Sequence, residues 1–257
     1  MMFKGDGSLK PKSPESIEMM RQGGKKLGQV KSVLRQAVKI GVSAEEIEQL
    51  ARGLIREKGG TPSFMAVPGY SWATCVNVNE GLVHGIPKKE IVFKKGDVVS
   101  VDVGMQYEGF HTDTSFTLGL ETDSSMNKFL QVGKNALRQA IDQIRAGKRI
   151  YDISFAIERT IKGAGLTPVR DLVGHGIGRH LHESPQIPCF TTGARGQTEE
   201  IPEGATLAVE VMYAQGSHKV EVAPDGWTIA MRDGKISALF EETVAALASG
   251  PLVLTEG

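Results

Sequence analysis

The sequence predicts an α+β fold: a curved antiparallel sheet with helices packed on one face, built as two halves related by a pseudo-twofold axis. Three observations predict it. Two helical segments followed by acid-bearing strands occur twice along the 257 residues. The run GDVVSVDVG (96–104) is echoed by GATLAVEVM (204–212), and in each a carboxylate, Asp102 or Glu210, falls six residues after the glycine. Finally, SVDVGMQYEGFHTDTS (100–115) alternates as a hairpin that carries two aspartates, Asp102 and Asp113.

The elements follow in order. Residues 1–12 are polar, with Gly, Pro and Lys, and read as a flexible lead-in to a single folded domain over 13–257. Ser13 caps a first helix, and Pro14 takes the first helical position, where its missing N–H is harmless. The apolar spacing through Ile17, Met20, Val30, Val33 and Leu34 carries that helix to about Ile40, and Gly41 ends it. Ser43 and Glu46 form a capping box for a second helix, whose stripe is Ile47, Leu50, Leu54 and Ile55 and whose end is Gly59-Gly60. Short extended pieces are expected over 75–78 and 91–93, with a loop over 81–87. The aspartate hairpin covers 98–118, and helices follow over 124–145 and 152–164, the last with Ile153, Ile157 and Ile161 on one face. Gly-rich loop and strand material then carries His175 and His182. The final strands are expected over 205–212, 218–222 and 239–247.

Composition narrows the function. Thirty basic and thirty acidic residues balance, which argues against a nucleic-acid footprint and a polybasic membrane anchor. The first fifteen residues lack the apolar run of a secretory signal, and no stretch of eighteen apolar residues could span a bilayer. Two cysteines, Cys75 and Cys189, could form one bridge, but such sparse usage reads as reduced thiols, so the cytoplasm is the expected compartment. A nucleoside triphosphatase loop and a serine-hydrolase elbow are both missing from the sequence.

The chemistry rests on acids in apolar surroundings. A hairpin centred between Tyr107 and Glu108 puts Asp102 opposite Asp113; a turn shifted by one residue makes them diagonal neighbours. Either way two carboxylates share one face, and they repel unless a proton or a cation lies between them. No lysine or arginine lies between them in sequence, so a divalent cation is the natural partner. Glu210 sits inside the strand LAVEVM and meets the same objection to a bare buried charge. Glu241 and Glu242 are consecutive and point to opposite faces, so only one can face the site. His175, in GHGIG, has room for a close approach; the glycine spacing is wrong for a dinucleotide loop. His84 sits in a loop, and either His180 or His182 could share its site.

Taken together, the segments NVNEGLVHGIP (77–87), VDVG (101–104), GFHTDTS (109–115), GHGIGRHLHESPQIP (174–188), VEVM (209–212), GWT (226–228) and SALFEET (237–243) resemble the type I methionine aminopeptidases of the pita-bread metallopeptidase family. The resemblance runs over about 13–250. It implies the pita-bread fold and an enzyme that removes the initiator methionine from nascent proteins. It implies two divalent ions (Co, Mn, Fe or Zn) held by Asp102, Asp113, His175, Glu210 and Glu241, selecting Glu241 over Glu242 and His182 over His180. His84 and His182 fall on positions that contact substrate and support catalysis, with Glu210 as the proton shuttle. Tyr70, Cys75 and Trp227 fall on positions lining the pocket for the first side chain. The implied partners are nascent polypeptide N-termini near the ribosome, met by a monomer. Four positions depart from the pattern. Glu242 replaces a histidine and resembles the proline-specific peptidases of the same fold, Val211 replaces a proline, Leu181 a phenylalanine, and Leu239 a glutamine. The alternatives are therefore an Xaa-Pro peptidase, or a non-catalytic binding module of this fold.

Overall fold

A computed structural model describes residues 9–257. Residues 1–8 of the expected lead-in lie outside the described residues. Leu9 packs against the main apolar core, and the Lys12 amide donates to the Gly204 carbonyl.

The first half opens with helices α1 (Pro14–Ala37) and α2 (Ala44–Glu57). The Ser16 amide donates to the Ser13 hydroxyl at the start of α1, and Ser43 and Glu46 make both bonds of the capping box on α2. Helix α1 stops three residues short of the expected end, because Val38 turns to an extended ψ of 102°. The strands β1 (Thr61–Pro62), β2 (Thr74–Val78), β3 (Gly81–Val83), β4 (Val98–Tyr107) and β5 (Phe110–Gly119) complete this half. Part of the expected loop over 81–87 is thus the short strand β3. The piece expected as a strand at 91–93 instead pairs with the connection between α1 and α2, through a single bridge from Val92 to Ser43.

The second half repeats the plan. Helices α3 (Ser124–Ile141) and α4 (Ile150–Gly163) precede β6 (Thr167–Pro168), β7 (Val173–Gly176), β8 (Glu183–Pro188), β9 (Thr206–Ala214), β10 (Val220–Val222), β11 (Ile229–Met231), β12 (Ser237–Leu247) and β13 (Gly250–Val253). Asp123 caps α3 through the Met126 amide at 2.8 Å. Helix α4 starts two residues earlier than expected. Asp152, read as the start, is the third residue, and its side chain accepts from the Arg149 amide at 2.9 Å.

All strand pairs are antiparallel. The main sheet runs β1-β4-β5-β12-β9-β7-β8, with β2 on β4, β6 on β9 and β13 on β12. The order is symmetric about the seam between β5 and β12. On one side β4 takes the Thr-Pro strand β1, and on the other β9 takes the Thr-Pro strand β6. Helix α1 packs on β4 and β5, and α3 packs on β9 and β12, so each half buries the helix-facing side of its strands. A third apolar cluster, containing Phe64, Tyr70, Cys75, Phe110, Ile177 and Leu181, is built around the site.

Candidate metal centre and substrate slot

The acids arrive in register. Asp102 on β4 stands opposite Ser115 on β5, Ser115 opposite Glu241 on β12, and Glu241 opposite Glu210 on β9. Residues opposite one another share a face, so one row across four strands holds three carboxyls and a hydroxyl. A second row, two residues along, carries Asp113 opposite Gly104 and, beyond the seam, Ala208 opposite both Thr243 and His175. The turn lies at Glu108-Gly109, with φ of 50° and 78°, as a two-residue hairpin of this hand requires. It is shifted by one residue from a centre at Tyr107 and Glu108, so Asp102 and Asp113 are diagonal rather than opposite.

At the seam, side-chain hydroxyls replace part of the backbone ladder. Thr243 Oγ1 accepts from the Asp113 amide at 2.9 Å and donates to the Asp113 carbonyl at 2.8 Å. Thr117 Oγ1 does the same for Leu239, at 3.1 Å and 2.6 Å. The two threonines are related by the pseudo-twofold, each two residues beyond the Ser115–Glu241 pair.

Asp113, His175 and Glu241 each bring a ligating atom within 4.8 Å of the others, and all three are buried. Glu210 Oε1 lies 3.6 Å from His175 Nε2. His175 Nδ1 is 2.9 Å from the Gly176 carbonyl. A carbonyl only accepts, so Nδ1 carries the hydrogen and Nε2 turns a lone pair toward the acids. Burial holds this imidazole neutral, with its pKa lowered to about 4.

The acids are under strain of the opposite kind. Burial, then the charges of Asp113 and Glu210, push Asp102 well above the usual carboxylate range. Glu210 rises through burial and Asp113, and Glu241 through burial and all three other acids. Asp113 is pushed by burial up to about 7. Asp102 Oδ1, Ser115 Oγ and Glu241 Oε1, on three adjacent strands, are buried without a hydrogen-bond partner. Such groups are costly unless a cation satisfies them. The oxygen-rich set with one imidazole fits a divalent metal of the hard to borderline kind.

Beside the acids lies an apolar slot. Cys75 on β2 is paired with Asp102, so the slot and the acids share a register position. Tyr70 stands over Cys75, its hydroxyl 3.3 Å from Sγ and 2.9 Å from the Thr74 carbonyl. Trp227 meets Tyr70 edge-on at 5.1 Å. Leu181, Phe64, Phe110 and Ile177 complete the apolar cluster. His182 packs edge-on against His175 at 4.6 Å, whereas His180 is exposed. His84 takes a left-handed φ of 57°, a conformation uncommon outside glycine and frequent at functional sites. Burial lowers His84 to about 4; burial, then His175 and His84, lower His182 to about 3.

Two of the four departures from the family pattern, Glu242 and Val211, lie on the face turned away from the acids. Glu242 points to the helix side of β12, where Lys31 holds it at 2.5 Å. Val211 is buried opposite Phe240, on the face away from Glu210. Leu239 is buried within the main core. Only Leu181 stands in the slot.

Two structural supports were not anticipated from the sequence. Glu48, buried on α2, accepts from the Ala73 and Thr74 amides (2.8 and 2.9 Å) and from Arg52, fixing the loop between Tyr70 and Cys75. Its signal was the true buried stripe of α2, Ala44, Ile47, Glu48, Ala51 and Ile55, in which a glutamate occupies a core position. His111, two residues before Asp113, is buried with Nδ1 2.9 Å from Ser63 Oγ. Both cysteines are buried and free.

A two-fold antiparallel sheet whose acids and histidine converge at the seam defines a metal-binding protein with an oxygen-rich centre. Comparison supplies the family. The model of metallopeptidase family M24 matches residues 18–246. The chain belongs to this family. It is 37% identical to a methionine aminopeptidase of Clostridium perfringens, covering 95% of this chain and 97% of the relative. It is 36% identical to methionine aminopeptidase 1 of Bacillus subtilis, over 95% of this chain and 98% of that one. The crystal structure of a methionine aminopeptidase from Thermotoga maritima superposes with a TM-score of 0.94 at 39% identity, covering 97% of this chain and all of that one. A prolidase from Pyrococcus furiosus shares the fold, with a TM-score of 0.77 at 18% identity, and this chain covers 65% of it.

Proposed function

We propose that the chain removes the N-terminal methionine from nascent proteins by hydrolysing the first peptide bond, with two divalent ions held by Asp102, Asp113, His175, Glu210 and Glu241. The observation that carries this reading is the apolar slot beside the acids. Cys75 in the slot wall and Asp102 share a register position, so a residue that fills the slot would bring its α-amino group beside the acids. That accounts for an enzyme that takes one residue from a free N-terminus. Five donors exceed the one-ion group formed by Asp113, His175 and Glu241, which supports a second ion. Near full-length likeness to proteins named methionine aminopeptidase supports the substrate.

The chemistry supplied by such ions, when bound, is polarisation of the scissile carbonyl and acidification of a water toward neutral pH. The protein supplies the rest. Tyr70, Cys75, Trp227 and Leu181 hold an unbranched thioether in an adaptable apolar contact. His84 and His182, kept neutral by burial, donate ring N–H bonds to carbonyl oxygens of the substrate. Glu210 carries a proton from the attacking water to the leaving nitrogen. The buried, free thiols of Cys75 and Cys189 suit a reducing compartment, the cytoplasm. No helix among the described residues is long and apolar enough to cross a membrane.

An Xaa-Pro specificity is not favoured. Its one sequence signal, Glu242, is turned away from the slot. Peptide competition tests the choice: Met-Ala-Ser should be cleaved at least tenfold faster than Ala-Pro-Ala, and preference for the proline peptide would reverse the assignment. His84→Ala and His182→Ala are each expected to lower kcat by about 10²–10³-fold, as for loss of one oxyanion donor. Metal content should stay at the wild-type level; loss of metal from His84→Ala would make it a ligand.

A further inference from the structure

The helix side of β12 carries a charged network directly behind the acid rows. Lys31 lies on the buried face of α1, in line with Leu27 and Leu34, and is only 8% exposed. Its ammonium donates to Glu242 Oε1 at 2.5 Å and to Thr114 Oγ1 at 3.1 Å. Glu242 Oε2 accepts from Thr255 Oγ1 at 2.5 Å and lies 3.1 Å from Thr114 Oγ1. Thr114 and Thr255 connect this network to the ligand-bearing strands. Thr114 Oγ1 reaches the Glu241 carbonyl at 2.9 Å, and the Thr114 amide donates to Asp113 Oδ1 at 3.0 Å. Thr255 Oγ1 accepts from the amide of Thr243, the residue whose hydroxyl clasps Asp113.

The segment 254–256 reaches this place because α1 has no side chains in its way. A Cβ on Gly24 would lie 2.4 Å from the Leu254 carbonyl oxygen, and one on Gly28 2.4 Å from that of Glu256. Neither glycine has a positive φ, so their use here is close approach, not conformation. The helix, the segment after β13 and the seam therefore meet at one ion pair.

We propose that Lys31, Glu242 and Thr255 form a positioning network that fixes Asp113 and Glu241 across the seam between the two halves and so sets the affinity of the metal centre. The inference rests on reading the acid cluster as that centre. The argument is one of placement. Asp113 and Glu241 come from different halves, and the backbone ladder between their strands is reduced to the Ser115–Glu241 pair plus threonine hydroxyls. With so few backbone bonds across the seam, the relative placement of the two acids depends on side-chain contacts from behind. Lys31 and Glu242 supply such contacts from the face turned away from the slot, which makes them positioning residues, and Glu242 stands where the resemblance expects a histidine.

The test is Mn²⁺ titration of the metal-stripped full-length protein by calorimetry, with thermal unfolding of each metal-free protein alongside. Wild type should bind Mn²⁺ stoichiometrically. Glu242→Gln, Lys31→Met and Thr255→Val should each weaken binding about 10–100-fold, the usual effect of an outer-shell partner. Thr255→Ser, which keeps the hydroxyl, should restore wild-type affinity. Variants that bind Mn²⁺ as tightly as wild type, with only their metal-free unfolding temperature lowered, would show a purely structural role and overturn the proposal. If Lys31→Met fails to fold, the Thr255→Val and Thr255→Ser pair makes the same comparison. If wild type itself binds no Mn²⁺, the metal-centre reading fails and takes this inference with it.

Discussion

Asp113→Asn is expected to abolish the full metal complement and to cost more activity than the roughly 10–100-fold of an outer-shell change. Asp113 sits within reach of both His175 and Glu241, and its charge raises the other three acids. The amide keeps the shape but removes the charge and puts donors where an acceptor is needed. The fold should survive, because Thr243 clasps the backbone of residue 113 and not its side chain. The metal-free variant should even unfold at or above the temperature of metal-free wild type, since one repelling carboxyl is gone. Metal analysis, peptide turnover and thermal unfolding read the three effects. Wild-type metal content with wild-type turnover would remove Asp113 from the site.

Stripping divalent metal is expected to eliminate activity while leaving a folded but less stable protein. The apolar clusters between helices and strands in the two halves do not depend on the acids, so secondary structure should persist. The acids, however, must then hold protons or repel. A ligand at one hundred times its Kd stabilises the form it binds by about 2.7 kcal/mol. For a chain of this size that amounts to about 5–11 °C in Tm. Unfolding in chelator, and again after adding Mn²⁺, measures it. An unchanged Tm with saturating Mn²⁺ would mean that the carboxyls are satisfied without a cation.

Much of the candidate site was legible because its acids break a local rule. Asp102, Asp113 and Glu210 stand in apolar strands, where a carboxylate has no business without a partner, and that conflict shows in the sequence alone. The pseudo-twofold was legible in the echo around Asp102 and Glu210. Less legible were the contacts that cross the chain. Lys31 and Glu242 are 211 residues apart. Nothing near either one says that they meet, although a lysine aligned with Leu27 and Leu34 on an apolar helix face was a trace of it. Glu48 left a similar trace, hidden because Leu50 and Leu54 looked like the better stripe and proved only partly buried. The short strands β1, β6 and β13 carry no periodic pattern of their own, and exist because a neighbouring strand offers them a ladder.

By itself, then, the order of residues determined the α+β class, the duplicated plan, the first helix caps and the presence of acids in strands that could not leave them bare. Tertiary structure alone decided the hairpin register and what stands behind the site, and it turned Glu241 toward the other acids and Glu242 toward Lys31, a choice that periodicity had left open and only the resemblance had made. The reason is physical: periodicity and capping are properties of neighbours a few residues apart, whereas register across the seam is decided by how two halves, each packed on its own helices, share one sheet.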